Sequence, residues 1–90
     1  MKTHLTGLLI CTTEDEAACV RAYLPEHIRL TRAEPGCEMF EVTPEGPLVW
    51  RVTERFTDRA AFDAHQSRTQ GSEWARQSAG IRRDFTLTQG

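Results

Sequence analysis

What the sequence lacks narrows it first. No apolar stretch is long enough to cross a bilayer: the run Leu8-Leu9-Ile10-Cys11 gives way to acidic residues at Glu14, and no small-residue cleavage site follows it as after a signal core. A cytoplasmic chain with no membrane partner is expected. Nor is one sign of charge in large excess. Eleven basic and thirteen acidic residues are interspersed for a net charge of −2, so there is no basic patch for phosphates and nucleic acid is not an expected partner. The strands also lack the aromatic pattern of RNA-recognition modules. Cysteine is scarce: Cys11, Cys19 and Cys37 form an odd set without a C-x-x-C pair. That argues for free, mostly buried thiols and against a disulfide framework or a zinc cage.

Chemical motifs are equally sparse. There is no P-loop, dinucleotide fingerprint, nucleophile elbow, H-E-x-x-H or EF-hand loop. His4, His27 and His65 are far apart, and none stands four residues from another His or Cys, so no metal site is expected. If the chain is an enzyme, the substrate or dioxygen must carry much of the chemistry.

What is present is one small domain, residues 1–90. Charged residues make up 27% and apolar ones 39% of the chain, an ordinary globular balance. A chain of this length buries roughly 60 to 65% of its unfolded surface, which makes a second copy a natural way to complete the core. His4 to Thr12 is apolar on both parities and reads as a central strand. Thr13-Glu14-Asp15-Glu16 fits a capping box, with Glu16 reaching back to the cap, and opens a helix. Pro25 removes a backbone donor and predicts a kink or restart near Leu24. Glu34-Pro35-Gly36 stops the helix sharply, because Pro35 disfavours helical Glu34 and Gly36 accepts a positive φ.

Cys37 to Val42 follows as a strand, and the turn formers Thr43-Pro44-Glu45-Gly46-Pro47 lead to a strand over Leu48 to Phe56. There Leu48, Trp50, Val52, Glu54 and Phe56 share one face, with Glu54 the one charge among them. Asp58 caps a helix over Arg59 to Gln66, whose inner stripe carries Phe62 and His65. A break over Ser67 to Gly71 precedes a short helix capped by Ser72 and holding Trp74, and Gly80 ends it. Ile81 to Thr88 is the last strand, with Ile81, Arg83, Phe85 and Leu87 on one side. The order β-α-β-β-α-β is the α+β, ferredoxin-like pattern. Helices cover one face of its four-stranded antiparallel sheet, which leaves an apolar face open to a partner.

Three runs carry a likeness: Leu30-Thr31-Arg32-Ala33-Glu34-Pro35-Gly36-Cys37, then Trp50-Arg51-Val52-Thr53-Glu54-Arg55-Phe56, then Asp58-Arg59-Ala60-Ala61-Phe62-Asp63-Ala64-His65. Together they resemble the antibiotic biosynthesis monooxygenase family, over nearly the whole chain from Leu5 to Leu87. That family includes quinol monooxygenases, anthrone-type oxygenases and haem-degrading relatives. The resemblance implies a dimeric α/β barrel, in which two sheets pack face to face as a homodimer. It also implies a small aromatic or quinol substrate oxidised by dioxygen without a cofactor. The haem-degrading relatives use an Asn on the first strand with a Trp and a His on the second helical segment. Here the first strand has no Asn and no His follows Trp74, so haem degradation is disfavoured.

Cofactor-free oxygenation suits the poverty of motifs. A deprotonated quinol or phenol passes an electron to dioxygen itself, so the protein need supply only a base, hydrogen-bond donors or cations, and aromatic walls. His65 matches the His of the family's helix after the third strand and is the first candidate base, against a structural His bonded to a backbone carbonyl or to Glu54. Glu54 either orients His65 or satisfies an Arg or backbone donors. Trp50, Phe62 and Trp74 are candidate walls for a flat ligand, against plain core packing. His27 lines a cavity mouth at the proline kink or is a partly exposed helical histidine. Arg83 holds a substrate anion or pairs across the dimer, and the residues alone do not separate these. Besides the monooxygenase, a non-catalytic dimeric module that binds an apolar or quinone-like metabolite fits the same residues, as does, with less support, an isomerase or lactone-processing enzyme that works without oxygen.

Overall fold

The structure is a computed structural model describing residues 1–90. Strand β1 (Thr3–Ile10) leads into helix α1 (Glu14–Arg32), strands β2 (Cys37–Gly46) and β3 (Val49–Phe56), helices α2 (Arg59–Gln70) and α3 (Glu73–Gln77), and strand β4 (Arg82–Gln89). All neighbouring strands are antiparallel, in the order β2-β3-β1-β4. The expected α+β ferredoxin-like arrangement is therefore the observed one, and β1 is an interior strand. The helices pack on one face, over a core that includes Leu5, Leu9, Val20, Leu24, Trp50, Val52 and Phe56.

Each helix begins where its cap residue stands. Thr13, Asp58 and Ser72 accept from the backbone N–H groups of Glu16, Ala61 and Ala75. Glu16 reaches one residue further back than the capping box requires, accepting from the N–H of Thr12 at 2.7 Å and from its hydroxyl at 3.0 Å.

Four expectations need correcting. Helix α1 does not restart near Leu24 but continues with Pro25 inside it. Pro25 lies on the solvent side, where water can satisfy the carbonyl that loses its partner, while Leu24 and His27 are buried beside it and hold the helix to the sheet. Strand β2 continues to Gly46, leaving only Pro47 and Leu48 as the turn. Because β2 is an edge strand, Pro44 is tolerated, with a register shift between Pro44 and Gly46. Helix α2 extends to Gln70 because its polar last turn has partners: Arg68 reaches Glu34 and Thr31. Finally, the open sheet face is mixed, not apolar. Half-buried Leu8, Ile10 and Val49 alternate there with Arg51, Arg55 and Asp84.

The turn after α1 fixes the geometry that matters most. Gly36 has φ 86°, and a Cβ placed there would stand 2.6 Å from the Ala61 side chain. The Gly36 carbonyl accepts from the N–H of Thr57 at 2.9 Å. Glycine thus lets the Glu34–Cys37 turn press against the start of α2, which brings Glu34 to the inner stripe of that helix.

Candidate active site

A cavity of about 290 Å³ lies between the helices and the inner sheet face. Its deep wall is built from Leu9, Val52 and Glu54 on β1 and β3, Leu24 and His27 on α1, Phe40 on β2, His65 on α2 and Trp74 on α3, all buried. The rim is exposed and polar, with Gln66, Gln70 and Arg83. The interior is therefore apolar and aromatic apart from two imidazoles, one carboxyl group and the Thr69 hydroxyl.

His65 is 3% exposed and stacks on Phe56 at 5.1 Å between ring centres, with Phe40 edge-on at 5.7 Å. Its Nδ1 lies 2.8 Å from Oε1 of Glu34. A carboxylate only accepts, so Nδ1 carries the hydrogen and Nε2 is left with the lone pair. Glu34 is itself held by Arg68, whose guanidinium also donates to the Thr31 hydroxyl at 3.0 Å. Burial lowers the His65 pKa below its ordinary value, and Glu34 offsets part of that effect.

Glu54 stands beyond the other side of the ring, its Oε1 3.9 Å from Nε2 of His65 and without a hydrogen bond. Burial, helped by repulsion from Glu34, pushes its pKa up to about 8, so at neutral pH it is mainly the protonated acid. The carboxylate that orients His65 is thus Glu34, and Glu54 is a proton-bearing neighbour on the cavity side. His27 is buried, correcting the expectation of a partly exposed helical residue. Its ring stacks on Trp74 at 5.6 Å and lies 5.7 Å from that of His65. Burial and the nearby His65, Arg68 and Arg83 lower its pKa to about 3, which keeps it neutral under ordinary conditions.

Of the residues singled out from sequence, His65, Glu54, His27, Trp74 and Arg83 meet at this cavity, whereas Trp50 and Phe62 do not border it. Trp50 is core, paired with Leu9 on β1 and Pro44 on β2. Phe62 supports His65 from behind by packing edge-on against Phe56 at 5.7 Å. Sequence reasoning passed over Glu34, Arg68 and Thr69. Thr69 lies one helical turn after His65, a signal lost with the early end assigned to α2. Glu34 reaches the site only through the tight turn at Gly36. The buried atoms without hydrogen-bond partners are Nδ1 of His27, Oε1 of Glu54 and Oγ1 of Thr69, and all three residues line this one cavity. Unsatisfied groups so placed are poised to bind something polar.

A family model described as antibiotic biosynthesis monooxygenase matches residues 9–77. The chain belongs to that family. No curated protein matches it significantly in sequence. Among solved structures, Rv0793 from Mycobacterium tuberculosis is similar over 100% of this chain and 95% of its own, with a TM-score of 0.76 and 21% identity. A candidate antibiotic biosynthesis monooxygenase from Nitrosomonas europaea aligns over 100% and 98%, with a TM-score of 0.80 and 18% identity. SnoaB, described as a cofactor-independent oxygenase from Streptomyces nogalater, aligns over 99% and 91%, with a TM-score of 0.72 and 13% identity. At such identities these likenesses establish the fold that the family members share.

Proposed function

We propose that this family member is a cofactor-independent monooxygenase that oxidises a small quinol or polycyclic phenol with dioxygen, working as a homodimer joined through the open sheet faces. The observation that carries the reading is the state of His65: its Nδ1 is bound to Glu34 at 2.8 Å, its Nε2 makes no hydrogen bond, and the ring borders the cavity. A buried neutral imidazole held in one tautomer is a ready general base. The description of SnoaB as a cofactor-independent oxygenase adds support.

In this scheme Nε2 takes a proton from the bound substrate. The resulting anion gives one electron to dioxygen, and the radical pair collapses into a C–O bond. The peroxide so formed is protonated, then loses the remaining hydrogen on that carbon as a proton while the O–O bond breaks. One oxygen atom stays on the ring and the other leaves as water, so the substrate supplies all the electrons. Protonated Glu54 is placed to donate to the departing oxygen, and the apolar walls keep bulk water from the anion.

Oxygen uptake with a naphthohydroquinone, corrected for autoxidation, tests the assignment. General-base catalysis contributes about 10²–10⁴-fold, so His65→Ala is expected to lose most of the enzyme-dependent rate. Equal rates for the two proteins would refute the proposal. The three unpaired polar atoms in the cavity also suit a module that binds a quinone-like metabolite without converting it. Saturable binding by calorimetry with no enzyme-dependent oxygen uptake would favour that reading.

A further inference from the structure

Arg83, like its neighbour Arg82, departs from the charge pattern of the rest of the molecule. Lys2, Arg21, Arg29, Arg32, Arg51, Arg55, Arg59, Arg68 and Arg76 each pair with a carboxylate. The basic residues left without an acidic partner are Arg82 and Arg83, and of these only Arg83 borders the cavity. It sits at the exposed rim, with its guanidinium 5.9 Å from the ring centre of Trp74.

The hydrogen bonds of Arg83 occupy one edge of the guanidinium and spare another. Nη1 donates to the carbonyls of Ser78 at 3.0 Å and Ile81 at 2.8 Å, and Nη2 donates to the Ser78 hydroxyl at 2.7 Å. Ser78 thereby clamps the end of the fork and fixes the plane of the group. The Nε–H and the second Nη2–H, the parallel pair that grips a carboxylate in two bonds, have no partner. Arg83 also lies on the helix-covered side of the sheet, opposite Leu9, so it does not point toward a copy packed on the open face.

We propose that Arg83 anchors a carboxylate on the far end of the substrate from the hydroxyl group that His65 deprotonates, so that the substrate class is hydroxylated aromatic acids. This rests on the cavity being the substrate site described above. It assigns the deep wall, with His65 and Glu54, to the reacting ring and the rim to the acid group. A pocket of about 290 Å³ is at the small end of the range for such sites, about 300–1,000 Å³, and suits one or two fused rings spanning from wall to rim.

Calorimetry with 6-hydroxy-2-naphthoate and its neutral amide, 6-hydroxy-2-naphthamide, tests the proposal without requiring turnover. The acid is expected to bind the wild-type protein about tenfold tighter or more, since a charge-assisted bidentate pair is roughly twice as strong as neutral hydrogen bonds. In Arg83→Gln that preference is expected to vanish, and in Arg83→Lys, which keeps the charge but not the fork, to fall between. Equal binding of acid and amide by the wild-type protein would overturn the proposal even if the variants do not fold. So would a preference for the acid that survives in Arg83→Gln. If the acid preference holds and disappears as described while no substrate drives oxygen uptake, the anion site stands and the oxygenase reading falls.

Discussion

Glu54 and His27 are displaced from solution behaviour in opposite directions, and their sum sets a stability profile. Glu54 titrates near 8 when folded and near 4.5 as an ordinary glutamate. The native state therefore binds the extra proton between those values, and stability falls as pH rises through them. His27 titrates near 3 when folded and near 6.5 ordinarily. The unfolded state binds the extra proton there, so stability falls as pH drops. Each contributes a slope of about 1.4 kcal/mol per pH unit, and the slopes cancel between pH 4.5 and 6.5. Wild-type Tm is expected to decline from pH 6.5 to 8, whereas Glu54→Gln removes that decline. An unchanged alkaline slope in the variant would mean that another group is responsible. Glu54 and His65, the two residues of the catalytic scheme, predict a bell-shaped rate profile. Its acid limb belongs to His65, below the ordinary histidine value, and its alkaline limb to loss of the Glu54 proton near pH 8. Only the alkaline limb is expected to disappear in Glu54→Gln.

At the scale of elements, the turn between α1 and β2 joins fold to site. Gly36→Ala forces a positive φ on a residue with a Cβ, a penalty of about 1–2 kcal/mol, and adds a contact with Ala61 too close to stand. Chemical denaturation is expected to show at least that loss, together with a His65 ring whose 15N resonances no longer report a single tautomer. A stable variant with unchanged resonances would dissociate the turn from the site. Pro25 offers the opposite experiment. A mid-helix proline costs roughly 3 kcal/mol relative to alanine, offset by up to roughly 1 kcal/mol from its stiffening of the unfolded chain. Because its position is exposed, Pro25→Ala is expected to stabilise the protein by about 2 kcal/mol, read from denaturant midpoints. These elements also show what the sequence makes legible. The alternation from Trp50 to Phe56 declares which side of β3 faces the helices, because period two admits no other division. The caps at Thr13, Asp58 and Ser72 declare the helix starts. The end of α2 is hidden, since Ser67 to Gln70 looks like a loop until Arg68 meets Glu34 across the turn.

At the scale of the whole molecule, one copy leaves the outer sheet face uncovered, and the proposal fills it with a second copy. Light scattering after gel filtration should give twice the chain mass of 10.2 kDa. Leu8→Asp, which sets a carboxylate among Ile10, Val49 and their counterparts, is expected to return the monomer mass. A wild-type monomer would remove the dimer from the scheme. The family and the strand order are readable from sequence because they rest on patterns distributed along most of the chain. The make-up of the site is only partly readable: His65 and Glu54 stand out on their stripes, while the pairing of Glu34 with His65 spans 31 residues and depends on a backbone geometry that glycine adopts without penalty. Oxygenation itself is decided by where the atoms go. With a quinol turned over under 18O2, mass spectrometry is expected to find one labelled atom added to the organic product in the wild-type reaction and none above background with His65→Ala. A wild-type product without label, the oxygen having gone wholly to peroxide or water, would contradict a monooxygenase.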